Sequence, residues 1–339
     1  MSRHGAPITV MQLLVDPAVG PKSFNPYTTL LVRALDPSRV RTRYFRWKGM
    51  LTDDFDVLHV HWPEHFTRHA RPAVRTLKAI LLFVFLLRIR VQRKAIVRTA
   101  HNLRPHEQGT WAERRVLAYL DRHTTLWFVL NDATPVPESR KVLIQHGHYR
   151  DWYPMPQPGQ QVAGRLLTFG LIRAYKGVDD LVSAFRDLDG AEWSLHVCGR
   201  PDSAETVTRL EDLRGEDDRI ALDLRYVPDD VLAQEIAEAE VVILPYREIH
   251  NSGVALLALS LNRPVILRDA AATRLLAEEF GDEWVHRFTG ELTAETLRDS
   301  IAALRAAPRS TEVDMRSRDW GVLAGEMTAA YGRAAELAR

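Results

Sequence analysis

The chain has 339 residues, 46% hydrophobic and 26% charged, with one cysteine and a formal net charge of +1. That length suits two domains of roughly 150 residues each, and the composition excludes a largely disordered chain. The single Cys198 excludes an internal disulfide framework and a cysteine metal cluster.

The start, MSRHGAPITVMQLLV, lacks a signal peptide's apolar core and small-residue cleavage site, so a cytoplasmic location is expected by default. Within it, ITVMQLLV is a short apolar run that leaves into Asp16, Pro17 and Gly20, the pattern of a buried strand entering a loop. NPYTTLLVRAL takes helical spacing after the Asn25-Pro26 start signal. DVLHVHWPE is a second strand, stopped by Pro63, and AIVRTAHNLRPHE a third, stopping near Pro105. LWFVLN and KVLIQHG follow, the latter with Gly147 at its exit. Apolar strands alternating with helices predict a parallel sheet covered on both faces.

Residues 151–164, DWYPMPQPGQQVAG, hold three prolines and two glycines and read as a linker. The second half then restarts the rhythm with RLLTFG, a helix over 177–188, SLHVCG, a helix over 204–213 and RIALDLRYV. Strands EVVILPY and RPVILRD come next, and residues 320–338 form a last helix. Cys198 in SLHVCG reads as a buried strand residue. The expected fold is α/β, two doubly wound parallel-sheet domains with the ligand in the crevice between them.

The small net charge hides an asymmetry. Residues 1–150 hold 24 Lys and Arg against 11 Asp and Glu, and residues 151–339 hold 21 against 33. The basic half should meet something anionic. Its excess surrounds RHARPAVRTLKAILLFVFLLRIRVQRK, residues 68–94, whose apolar core AILLFVFLL is too short to span a bilayer. One reading is a helix buried against the sheet with solvated basic ends. The favoured one is a helix in the interface of an anionic membrane, with Lys78, Phe83, Phe85, Arg88, Arg90 and Arg93 facing the lipid. No recognition motif accompanies the charge, so nucleic acid is not expected as a partner.

In PYREIHNSGVALLALSLNRPVI, residues 245–266, a polar turn opens into an apolar helix. The first turn of such a helix points unpaired N–H groups at an anion. Ser252 or Asn251 can cap it, and Gly253 permits close approach. FGLIRAYKG, residues 169–177, adds Arg173 and Lys176 after a strand end, a combination able to hold a diphosphate. With no GxxxxGK[ST] and no GxGxxG, a nucleotide-sugar fits better than a nucleoside triphosphate or dinucleotide. The donor-binding set is Gly170, Arg173, Tyr175, Lys176, Gly199, Tyr246, His250, Asn251, Ser252 and Gly253.

Proton-transfer groups cluster in the first half. His59, His61, Trp62 and Glu64 lie where one strand ends, and His101, Asn102, His106 and Glu107 where the next ends. Strand alternation puts His59 and His61 on one face, so one of them can be structural. No HExxH occurs, and no metal site is expected.

Together DVLHVHWPE, RTAHNLRPHE, HGHYRDW, FGLIRAYKG and PYREIHNSGVALLALSLNRPV resemble the bacterial GDP-mannose:glycolipid 4-β-D-mannosyltransferases of xanthan-type exopolysaccharide assembly, over residues 25–320. The resemblance implies a GT-B glycosyltransferase with an acceptor-binding, membrane-associating domain over 1–150 and a donor-binding domain over 151–319. The helix over 320–339 would pack back toward the first domain. It further implies inversion, GDP-mannose as donor substrate with no cofactor, a lipid-diphosphate-linked oligosaccharide acceptor and peripheral attachment to the inner face of the cell membrane. Retaining GT-B relatives carry two glutamates where this chain has His250 and Ala258, which speaks against retention. Glu64 and Glu107 are the candidate bases, with Glu64 ahead. His61 and His101 orient the base or bond the donor phosphate, and Trp62, Asn102, Arg104 and His106 are acceptor-binding candidates. A retaining transferase with another donor, a nucleotide-sugar 2-epimerase and a degenerate regulatory subunit are the alternatives.

Overall fold

Neighbouring parallel strands need a long crossover, and the helix-start signals between the apolar runs supply one after another. The computed structural model describes residues 6–16, 25–101, 109–157 and 159–339. The chain forms two compact units, Met1–Gly147 with Arg318–Arg339, and His148–Ser317.

The first unit runs β1 (Ile8–Leu13), α1 (Pro26–Ala34), β2 (Val40–Tyr44), β3 (Val57–Val60), α2 (Pro72–Val91), β4 (Ala95–Ala100), α3 (Trp111–His123), β5 (Leu126–Val129) and β6 (Lys141–Leu143). Its parallel sheet has the order β2-β1-β3-β4-β5-β6, so the winding reverses between β1 and β3. Helix starts follow the local chemistry. The Asn25 side chain accepts from the Tyr27 amide with Pro26 in the first turn, and Thr110 accepts from the Glu113 amide.

The second unit runs β7 (Arg165–Phe169), α4 (Val178–Arg186), β8 (Ser194–Cys198), α5 (Ala204–Arg214), β9 (Ile220–Asp223), α6 (Asp229–Glu238), β10 (Val241–Leu244), α7 (Gly253–Ser260), β11 (Val265–Arg268), α8 (Ala271–Phe280), β12 (Val285–Phe288) and α9 (Ala294–Ala306). Its order is β12-β11-β10-β7-β8-β9, and the winding reverses between β7 and β10. The central strand β10, Val-Val-Ile-Leu, is buried on both faces, as a strand sandwiched between helix layers must be. A last helix, α10 (Trp320–Leu337), is capped by Asp319 and returns to the first unit, where it packs on α1 and on β1, β3 and β4.

Two strands escape the sequence reading. β2 (VRTRY) and β12 (VHRF) are the outer strands of their sheets. Edge strands carry charge on the side that meets water, which breaks the apolar run that marks an inner strand. The stretch read as a linker is also tied down at its start. Trp152 Nε1 donates to Asp229 Oδ2 at 2.8 Å and the Tyr153 hydroxyl to Asp229 Oδ1 at 3.2 Å. Just before it, the Arg150 guanidinium binds the carbonyls of Ser260 and Val313 and the side chain of Asn262.

Helix α2 corrects part of the membrane-facing set. Phe85 is fully buried against Phe45 and Phe55, with Leu82, Leu86 and Ile89 beside it. Arg88 is held inward, its guanidinium donating to the carbonyls of Met50 and Asp53 at 2.8 Å each. Lys78 is half-buried and reaches the Arg68 carbonyl. Leu77, Ile80, Val84, Leu87 and Val91 instead form an exposed apolar stripe, with Leu77 and Ile80 54% and Val91 82% exposed. Their spacing of three, four, three and four residues is one helix face. The run AILLFVFLL thus feeds two faces, one in the core and one in solvent. Phe83 lies at the margin of the exposed face against Tyr119, and Arg90 and Arg93 are exposed at the helix end. No helix among the described residues is long and apolar enough to cross a membrane.

Candidate active site

In doubly wound sheets, ligands bind beyond the carboxyl ends of the strands where the winding reverses. In the first unit those ends belong to β1 and β3, and there the chain places Gln12, His59 and His61. Alternation along β3 turns both histidines to one face, with rings 4.2 Å apart. His59 is wholly buried, its Nε2 2.8 Å from Thr99 Oγ1 and its Nδ1 2.8 Å from the Tyr331 hydroxyl on α10. His61, 2% exposed, bonds Gln12 Oε1 through Nε2 at 3.3 Å and His101 Nε2 through Nδ1 at 3.2 Å. Trp62 stacks on His101 with centroids 4.1 Å apart and planes at 19°. Tyr27 packs 4.4 Å from the His146 ring and 5.7 Å from that of Trp320.

Burial sets the protonation of this cluster. It lowers His61 to about 3 and His146 to about 4, and it holds His59 and His101 well below the ordinary histidine value. Imidazoles depressed this far stay neutral at physiological pH and take a proton poorly, which suits them to orienting neighbours rather than to acting as bases.

Beside the histidines opens a cavity of about 450 Å³, lined by His61, Trp62, Glu64, Arg98, His101 and Trp127 among others. Glu64 reaches it because Pro63 stops β3 and starts a short 3-10 turn over Pro63–Phe66. The structure therefore brings His61, Trp62, Glu64 and His101 to one place. Asn102, Arg104, His106 and Glu107 lie outside the described residues. The sequence reading missed Arg98, Gln12 and Tyr331. A charged or amide residue inside an apolar strand, as in IVRT and TVMQLL, was the available signal for the first two.

In the second unit the reversal lies between β7 and β10, and most of the donor candidates gather beyond those ends. The Lys176 ammonium is 3.5 Å from where a Cβ on Gly170 would stand, with the Val254 side chain of α7 at 3.3 Å from the same point. It lies 4.9 Å from the Tyr246 ring centroid. Burial first, and then Arg173, lower the lysine to about 8. Ser252 caps α7, its hydroxyl accepting from the Ala255 amide at 3.1 Å, and Gly253 opens the helix.

Two glycines fit here for steric reasons. A Cβ on Gly199 would stand 1.9 Å from the Gly170 carbonyl oxygen. Gly177 has φ +61° with the Pro245 carbonyl oxygen 2.7 Å from its Cβ position. Tyr175 is stapled to the same wall, its carbonyl accepting from the Arg247 amide at 2.8 Å. The Arg247 guanidinium binds Asp179, Asp180 and the Ala174 carbonyl.

Arg173 lines a separate recess of about 160 Å³ with Thr206 and Arg209. His250 is half-buried and lowered by that burial, and Ala258 is fully buried in α7. Cys198 is buried, its thiol pushed up to about 12 by desolvation first. Among the described residues no group of three or more His, Cys, Asp and Glu side chains is placed to hold a metal ion.

Comparison with known proteins bears on both units. The family described as Glycosyl transferases group 1 matches residues 163–304. A GDP-mannose:glycolipid 4-beta-D-mannosyltransferase of Xanthomonas campestris pv. campestris is 42% identical over 296 residues, 87% of this chain and 84% of that protein. A second protein of that name from the same pathovar is 40% identical over the same shares. Among solved structures, AviGT4, a glycosyltransferase involved in avilamycin A biosynthesis, aligns over 97% of this chain and 98% of its own with a TM-score of 0.62 and 15% identity. Anabaena Alr3699/HepE in complex with UDP and glucose aligns over 96% and 95%, with a TM-score of 0.60 and 13% identity. These two likenesses are of fold. The chain belongs to the family of the Xanthomonas mannosyltransferases, has the GT-B fold of two Rossmann-like domains, and is a glycosyltransferase.

Proposed function

We propose that the enzyme transfers mannose from GDP-mannose, with inversion and without a metal ion, to a lipid-diphosphate-linked oligosaccharide at an anionic membrane surface during exopolysaccharide assembly. Identity of 42% over 87% of the chain to a protein named for that donor and a glycolipid acceptor supports the substrates. The observation that carries the donor site is Lys176, a buried cation held beside the N-terminal turn of α7. A buried charge is costly until paired, and a helix N-terminus favours an anion. A departing nucleoside diphosphate meets both, so the charge that develops on it is neutralised by residues of this chain.

Inversion needs one base on the acceptor side and no paired carboxylates around the donor sugar. His250 and Ala258 stand where retaining relatives have glutamates, and of the two carboxylates in the first unit's cavity Asp121 is ion-paired with Arg98, which leaves Glu64 as the base. Glu64 deprotonates the acceptor hydroxyl as its oxygen attacks the sugar carbon and the C–O bond to the diphosphate breaks. His61 and His101, neutral and bonded to each other, hold Trp62 and the cavity wall in place. The exposed stripe on α2, ending in Arg90 and Arg93, supports membrane attachment.

The test is a panel of nucleotide-sugars with a lipid-linked oligosaccharide, followed by NMR of the product. GDP-mannose should be preferred and the new linkage should be β. An α linkage, or release of an altered nucleotide-sugar without acceptor, overturns the reading. Glu64→Gln should lower transfer by about 10²- to 10⁴-fold with GDP-mannose binding retained.

A further inference from the structure

The cavity of the first unit contains a group for which the transfer reaction has so far no use. Arg98 sits inside β4, where an apolar residue would be ordinary, and its side chain is 15% exposed. It is ion-paired with Asp121 of α3, and its guanidinium carbon lies over the Trp127 ring, 4.9 Å from the centroid. Its Nε is buried and makes no hydrogen bond among the described residues. An arginine clamped by an acid and an indole is an oriented donor, and a buried donor lacking a partner is poised for one from outside. Asp121 is half-exposed, so its carboxylate can accept from the same visitor.

The charges on the wall narrow the class of ligand. Arg98 and Asp121 cancel, and Glu64 leaves the described lining one unit negative. That disfavours a second diphosphate. Sugar oxygens fit, because neighbouring hydroxyls on a ring present an acceptor and a donor side by side, the complement of an N–H next to a carboxylate. A volume of about 450 Å³ lies within the usual range of roughly 300–1,000 Å³ for small-molecule pockets.

We propose that Arg98 and Asp121 form a pyranose-recognition subsite for the acceptor, reading ring oxygens beside the hydroxyl that Glu64 deprotonates. This rests on the reading that the first unit binds the acceptor. The Arg98 guanidinium donates to one sugar oxygen, Asp121 accepts from the adjacent hydroxyl, and Trp127 holds the guanidinium in place. Arg98 and Asp121 are thus specificity residues, separate from the base.

The experiment uses the full chain and the variants Arg98→Lys and Asp121→Asn, each checked by its thermal midpoint. Steady-state transfer should show the acceptor KM raised about tenfold by the loss of one hydrogen bond, with kcat changing far less and the GDP-mannose KM unmoved. Saturation-transfer NMR with methyl β-D-glucopyranoside and methyl β-D-glucuronide should show contact to the wild type in at least one arm, lost in both variants. An unchanged acceptor KM in folded variants overturns the subsite, as does the absence of contact from both glycosides in the wild type. A wild type that transfers no sugar overturns the proposed function instead, and the NMR arms still decide the subsite. If Arg98→Lys does not fold, Asp121→Asn carries the same comparison.

Discussion

The Tyr331 hydroxyl on α10 shares a hydrogen bond with Nδ1 of His59 on β3 across 2.8 Å, joining residues 272 positions apart. Both side chains are fully buried. The second ring nitrogen of His59 is taken by Thr99 of β4, so the C-terminal helix is bonded into the layer that carries His61 and His101. The last helix of the chain is part of the first unit's site.

Removing that hydroxyl leaves His59 Nδ1 buried without its partner. An unsatisfied buried polar group costs about 1–3 kcal/mol. Tyr331→Phe should lower the thermal midpoint by about 2–12 °C, as scanning fluorimetry would show, at about 2–4 °C per kcal/mol for a unit of this size. A midpoint equal to wild type would mean that the hydroxyl does not support the histidine layer.

Acid should destabilise the same layer early. Burial holds His61 at about 3 and His146 at about 4, whereas an unfolded histidine titrates near 6.5. Below 6.5 the unfolded chain takes up protons that the native chain refuses, so stability is full above that pH and falls beneath it. Each histidine contributes about 1.4 kcal/mol per pH unit, down to about 4 for His146 and about 3 for His61. Midpoints measured from pH 7.5 to 4.5 should be level and then drop below about 6.5, and His146→Gln should make the drop shallower. A profile flat down to pH 4.5 would show that these rings are not held neutral.

Inner strands were legible because parallel strands covered on both faces must be apolar throughout, and β10 and β11 read that way on sight. The edge strands β2 and β12 were hidden by arginines and a histidine that interrupt their apolar runs. The grouping of the donor candidates Ser252, Gly253 and Lys176 was legible because those residues are local to one loop and one helix start. The first unit's site was only partly so. His59, His61 and Trp62 stood out by type, but Gln12, Arg98 and Tyr331 reach the site from three distant segments. Phe85 was misplaced because AILLFVFLL has no polar residue to show which of its apolar side chains turn inward.

Lys176 predicts how nucleotide binding responds to pH. Its burial, with Arg173 nearby, lowers it to about 8 from the usual 10.5. A bound diphosphate stabilises the protonated form, so binding takes up a proton above pH 8 and not well below it. GDP affinity should be level up to about pH 7.5 and then fall by up to about tenfold per pH unit. Calorimetry in buffers of different ionisation enthalpy measures the uptake directly. Lys176→Met should weaken GDP about 10- to 150-fold, the worth of a charged hydrogen bond, and abolish the pH dependence. No proton uptake at pH 8.5 in the wild type would place Lys176 away from the diphosphate.

The outer face of α2 predicts membrane binding without a change in stability. Leu77, Ile80 and Leu87 are exposed, so replacing all three with Ser removes apolar surface that the core does not use. Full burial of such a side chain contributes about 1.5–3 kcal/mol, and partial insertion in an interface a fraction of that. The triple variant should bind phosphatidylglycerol-containing vesicles at least tenfold more weakly in a flotation assay, with its thermal midpoint within a degree or two of wild type. Arg90→Gln with Arg93→Gln should weaken binding further at low salt and less at high salt, because exposed charges are screened. Arg88→Gln serves as the contrast. Its guanidinium holds the carbonyls of Met50 and Asp53, so it should lower the midpoint and leave vesicle affinity nearly unchanged. Vesicle binding that survives the triple substitution would assign the exposed stripe to some other contact.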